Sequence, residues 1–126
     1  MDQLEGVWRL IDSRAIHERT GRLSAPYGAN PQGIMEFCNG RMLVALCNGD
    51  AHVRSDQGRE FISYGGRYRF DGNTLSVDVD VASDPARIGS HRVRNIVMIG
   101  DQLILRPPPR LYGAALQRRE LVWERV

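Results

Sequence analysis

Three turn dipeptides, Asn39-Gly40, Asp71-Gly72 and Gly100-Asp101, each separate two runs whose apolar residues recur at every second position. Asn-Gly and Asp-Gly supply the positive φ angles that tight hairpin turns require. Alternation with period two puts successive side chains on opposite faces of a strand. A chain patterned this way folds by laying each strand beside the previous one. Reading outward from the turns predicts strands near 6–17, 33–38, 41–47, 61–70, 73–81, 88–99, 102–107 and 116–125. Segment 18–32 (ERTGRLSAPYGANPQ) reads as a long loop, 48–60 as a polar loop, and 107–115, opening PPPRLYG, as a strap to the last strand. Eight strands in 126 residues predict a single all-β domain over 1–126, an antiparallel up-and-down barrel, because closure removes exposed edges. At eight strands the interior holds side chains or one small ligand.

The turns also assign faces. Around Asn39-Gly40, Phe37 opposes Met42, Met35 opposes Val44 and Gly33 opposes Leu46, an apolar set that belongs inside. A two-residue turn at Asp71-Gly72 pairs Phe70 with Asn73, Tyr68 with Leu75, Gly66 with Val77 and Tyr64 with Val79. The other face then carries Arg67 and Arg69 with Asp78 and Asp80, the composition of a solvated outer wall. Around Gly100-Asp101, Met98 opposes Leu103 and Ile96 opposes Leu105, and the same face continues to Arg94 and Arg92. A bulge within 86–95 would exchange Arg94 for Asn95 or His91 on that face.

Composition removes several chemistries. All 17 basic side chains are Arg, so lysine Schiff bases, lysine general bases and phosphate-loop lysines are excluded. A net charge of +2, with arginines scattered among the strands, does not describe a nucleic-acid surface. Cys38 and Cys47 lie at opposite ends of one predicted hairpin, about 20 Å apart, so neither a disulfide nor a shared metal is expected. The opening MDQLEGVWRL shows no basic segment followed by an apolar one, and no apolar run is long enough for a membrane helix; the expectation is a cytoplasmic protein without a membrane partner. His17, His52 and His91 lack metal-ligand spacing, and no cofactor motif is present, so no metal or cofactor is expected.

Five segments, GVWRL at the start, SAPYGANPQGIMEF, GGRYRFDGNTL, VRNIVMIGDQLIL and the closing LVWERV, span nearly the whole chain. In this order they resemble the bacterial and fungal lipocalin-like domain family, with Gly6-Val7-Trp8 as a Gly-x-Trp opening. The resemblance implies an eight-stranded barrel with one open end and an apolar calyx. It further implies that Arg125 of the last strand packs across Trp8, a role Trp123 can share. Related small barrels act both as binders and as cofactor-free cyclases, isomerases or dehydratases, so it implies no single activity.

Within such a barrel, Arg94 is the candidate polar anchor; it meets a ligand anion or carbonyl, or is neutralised by Asp12, which shares the parity of Trp8 and Leu10. Tyr64 and Tyr68 face inward with Gly66 leaving a gap between them, as hydrogen-bond donors to a ligand or as plain core aromatics. His91 is a candidate general base at the mouth. Tyr27 is a lid or a loop anchor. Met35, Phe37, Met42 and Val44, with Val77, Ile96 and Leu105, form the expected wall, completed by Trp8 and Trp123. The function expected first is binding of a small, hydrophobic or amphipathic organic molecule. The alternatives are a cofactor-free isomerase, cyclase or dehydratase in which Arg94, Tyr68, Tyr64, Asp12 and His91 serve, and a filled barrel acting as an interaction module. Pairing of two barrels through their outer walls is a further expectation.

Overall fold

A computed structural model describes residues 3–53 and 59–126. The alternating runs become strands β1 (Gly6–His17), β2 (Leu23–Ser24), β3 (Pro31–Cys38), β4 (Arg41–Asn48), β5 (Phe61–Phe70), β6 (Thr74–Ala82), β7 (His91–Ile99), β8 (Gln102–Arg106), β9 (Arg110–Tyr112) and β10 (Ala115–Arg125). All pairings are antiparallel. The sheet runs β2-β1-β3-β4-β5-β6-β7-β8-β10-β9 and closes through β1–β10. β2 and β9 are short additions outside a closed barrel of eight strands. Among the described residues no helix is long and apolar enough to cross a membrane.

The first hairpin follows the predicted register, from Cys38 opposite Arg41 to Gln32 opposite Cys47. Asn39 and Gly40 have φ of 53° and 78°, the pair of positive angles such a turn needs. Both cysteines are free. The β7–β8 hairpin also keeps its register, with Ile96 opposite Leu105 and Met98 opposite Leu103. No register shift interrupts β7, so Arg94 and Arg92 stand opposite the inward Leu75 and Val77.

The β5–β6 hairpin differs from expectation. Phe70 pairs with Leu75 and Tyr68 with Val77, two positions from the predicted partners. The cause is Asp71, whose carboxylate accepts from the backbone N–H of Asn73 at 2.9 Å and of Thr74 at 2.7 Å. This Asx-type turn adds two residues to the loop. A slip of two keeps every side chain on its face. A bulge follows at Asp80, between the Gly66–Val79 and Gly65–Val81 pairs. It turns Val81, predicted inward, out to solvent at 51% exposure.

Connections of very different length separate the two rims. At one rim lie the short turns after β3, β5 and β7, together with the start of β1 and the end of β10. At the other lie the long segments 18–30, 49–53 with 59–60, 83–90 and 107–114. The short-turn rim is closed. Leu4 is fully buried there, and Trp8, 1% exposed, donates its indole N–H to the Leu4 carbonyl at 2.9 Å. The Arg125 guanidinium lies 4.2 Å from the Trp8 ring centroid and donates to the carbonyls of Glu5 and Gln3. Phe37 and Tyr68 meet edge to face at 4.9 Å in the same half. Met42, Leu75, Val77, Ile96 and Leu103 fill the rest of this core.

Candidate functional site

Toward the long-loop rim the inward side chains stop meeting across the barrel. They enclose a cavity of about 560 Å³. Its floor and walls are apolar, made by Met35, Val44, Leu46, Leu105, Leu121 and Trp123. Tyr64 and Ile62 continue the wall upward on β5. The strap Pro107–Pro109 forms one side of the mouth. Three successive prolines cannot continue the β8 ladder, which forces the chain away from the barrel there.

Tyr27 closes another part of the mouth and is 5% exposed. Its loop is tied down by Asp50, whose carboxylate accepts from the backbone N–H of Asn30 at 2.9 Å and of Ala29 at 3.4 Å. Gly49 and Asn30 exchange further hydrogen bonds across the same junction. Gly28 has φ of 76°, and a Cβ there would stand 2.3 Å from Asp50 Oδ2, so only glycine lets the two loops meet.

Burial pushes the Tyr27 phenol up from 10.0 to about 12, with nearby Arg119 opposing the shift and Glu60 adding to it. It therefore remains a neutral hydrogen-bond donor across the physiological range. Folding favours the protonated phenol, so this contribution to stability is complete below pH 10.0 and is lost as pH rises through about 12. An ultraviolet phenolate titration of the folded protein should show one of the four tyrosines ionising only at about 12. If Tyr27→Phe leaves the titration unchanged, Tyr27 is not the phenol that ionises at about 12.

The rim is strongly cationic. Arg87, Arg92, Arg94, Arg110 and Arg119 line it, against the single carboxylate of Glu60. Desolvation and the neighbouring Arg87 and Arg94 hold the Arg92 guanidinium below its ordinary value. Arg119 stacks 3.5 Å from the Tyr112 ring centroid, and Arg110 lies 4.9 Å from it. Arg94 donates one Nη1 hydrogen bond to the Val93 carbonyl. Three buried donors, Trp123 Nε1, Arg92 Nε and Arg119 Nε, have no hydrogen-bond partner.

The predicted site residues divide between the two halves of the barrel. Tyr27, Met35, Val44, Tyr64, Arg94, Leu105 and Trp123 border the cavity. Trp8, Phe37, Met42, Tyr68, Val77 and Ile96 are buried but lie in the filled half, away from it. Gly66 does not open a gap for a ligand: a Cβ there would sit 1.8 Å from the Asp78 carbonyl oxygen, so the missing side chain serves a close approach of two backbones. Asp12 is not inside. Ile11 is bulged out of the β1–β10 ladder, which reverses the parity beyond Leu10. Ser13 and Ala15 become the buried residues, and Asp12 lies exposed, 3.8 Å from Arg14. His91 borders the mouth, but its Nδ1 is 2.8 Å from Asp78 Oδ1 on the outer wall. That hydrogen bond, helped by Arg69, holds the Asp78 carboxyl below the usual carboxylate range. Asp80 is held down in the same way by Arg41, which reaches both of its oxygens at 2.7 and 2.8 Å.

Sequence reading omitted Arg119 and Leu121, although counting back by twos from Trp123 reaches both. Arg92 was placed on the inward face with Arg94 but was not counted among the site residues. Arg87 and Tyr112 carry no such signal, because they sit in or beside irregular segments. Among the described residues no group of three His, Cys, Asp or Glu side chains is placed to hold a metal ion. A second hollow, of about 600 Å³, lies on the outward side of the proline strap. Of its three arginines, Arg106 is engaged with Glu120 at 2.7 Å and Arg118 with Glu18 at 2.6 Å, and Arg119 is shared with the first cavity.

Comparison with known proteins agrees with this architecture. The sequence profile of a family described as lipocalin-like domain matches residues 5–126. No protein of curated function matches the chain. Among solved structures, an uncharacterised protein from Bacteroides eggerthii DSM 20697 is similar with a TM-score of 0.51. The match covers 98% of this chain and 100% of that one at 10% identity, a likeness of fold alone.

Proposed function

Because the chain belongs to the lipocalin-like domain family, we propose that it binds a small, largely apolar organic molecule in the open half of its barrel. The observation that carries this reading is the cavity of about 560 Å³, walled by Met35, Val44, Leu46, Leu105 and Trp123. Ligand sites of single organic molecules span roughly 300–1,000 Å³ and are mostly apolar with a few polar groups. Here the charged groups gather at the rim, where a ligand enters, and the filled half supplies a rigid base beneath the cavity.

Titration with Nile red, a neutral apolar dye, tests the reading. Saturable one-to-one binding with a blue-shifted emission is expected. Leu46→Trp, which places a large side chain in the cavity, should weaken it on the order of tenfold, the loss of about 1.4 kcal/mol. Far-UV circular dichroism checks that the variant remains a barrel. Absence of saturable binding, or full binding by a folded Leu46→Trp variant, would overturn the assignment.

A further inference from the structure

The charge at the mouth is out of proportion to the charge of the chain. Five arginines and one glutamate give the rim a formal +4, whereas all 126 residues sum to only +2. The remainder of the molecule is therefore net negative, by 2 − 4 = −2. Six of the arginines elsewhere, Arg9, Arg14, Arg41, Arg69, Arg106 and Arg118, each lie within ion-pair reach of a carboxylate. Among the described residues, none of the five at the mouth has such a partner.

Geometry brings three of them to one place. Arg92 and Arg94 are alternate residues on the inward face of β7. Arg94 on β7 and Arg119 on β10 both border the cavity, on the two strands that flank β8. Two strand spacings separate them, about 10 Å between backbones, which long side chains readily bridge. The unpartnered buried polar atoms bordering the cavity, on Arg92, Arg119 and Trp123, are all donors. Unpartnered buried donors are complementary to an acceptor-rich group, and guanidinium forks are matched best by an oxyanion.

We propose that the molecule taken by this cavity is an organic acid, its apolar body against Met35, Val44 and Trp123 and its carboxylate held by Arg92, Arg94 and Arg119. The proposal rests on the barrel being a ligand binder and specifies what it binds. It also gives the Tyr27 hydroxyl a use, as a neutral donor facing the same mouth.

The test compares two probes that differ only in charge, 1-pyrenebutyrate and 1-pyrenebutanol, followed by energy transfer from tryptophan. The acid is expected to bind more tightly than the alcohol on the order of tenfold, as one charge-assisted hydrogen-bond set provides. Roughly 0.5 M salt should narrow that ratio, since the mouth is solvent-accessible. In Arg94→Gln/Arg119→Gln the ratio should fall to about one, whereas Arg94→Lys/Arg119→Lys, which keeps the charge, should retain most of it. A ratio measured on one protein is insensitive to a general loss of folded molecules. Equal affinity for both probes in the native protein, or a preference that survives the glutamine pair, overturns the organic-acid assignment and leaves the apolar-binder reading standing if Nile red still binds. Failure of all three probes to bind overturns both.

Discussion

Gly66→Ala is expected to destabilise the fold by at least about 3 kcal/mol, the upper end of what overpacking costs. An alanine Cβ at this position would lie 1.8 Å from the Asp78 carbonyl oxygen and 3.2 Å from the Val79 Cα. Both obstacles are backbone, held in the β5–β6 ladder next to the Asp80 bulge, so no side chain can swing away to make room. Relief requires separating two strands in the middle of a closed sheet, and closure transmits that strain around the barrel. For a domain of this size the melting midpoint should fall by roughly 10 °C or more. Gly40, by contrast, has no atom within 4 Å of its would-be Cβ; its constraint is the positive φ alone. A Gly66→Ala protein that melts within a degree or two of the native one would show that the bulge is absent.

Trp8→Ala should cost about 4 kcal/mol, as large aromatic-to-alanine changes in cores do. Trp8 closes the short-turn rim, and its removal deletes three contacts together. The cavity it leaves is bordered by Leu4 and Met35, both fully buried. The Leu4 carbonyl loses the indole donor. The Arg125 guanidinium loses the ring it covers, and with it the orientation that lets it reach the Glu5 and Gln3 carbonyls. Urea unfolding should show a lowered midpoint with little change in slope. A loss below about 1 kcal/mol, the scale of an ordinary surface substitution, would mean that the rim is closed by something other than Trp8.

The sequence was informative where a turn dictates its own geometry. Asn39-Gly40 accepts two positive φ angles, so the β3–β4 register followed from the dipeptide alone. Asp71-Gly72 looks equivalent, but the Asp71 carboxylate finds two backbone N–H groups further on, and the turn lengthens by two residues. Since two is the side-chain period, the faces of Tyr68, Val77 and Asp78 were read correctly despite the wrong partners. The bulges at Ile11 and Asp80 leave no compositional trace, because an extra residue in a strand changes parity without changing character. That is why Asp12 was assigned to the interior. In the site, Arg94 was reached by counting from the Gly100-Asp101 turn. Arg87 and Tyr112 lie where there is no period to count, and the crowding of five arginines at one rim exists only after the barrel closes.

The unequal lengths of the connections at the two rims have a consequence for how such a protein can change. Apart from buried Tyr27 and the short β2 and β9 ladders, sequence differences in the segments at the long-loop rim fall outside the barrel ladders and the Trp8 plug. They reshape the entrance without touching what makes the chain fold. The barrel is in this sense a chassis, and its four long loops are exchangeable fittings. Diversification of what enters the barrel can proceed by insertion, deletion and recombination at one rim while the opposite rim is held nearly constant.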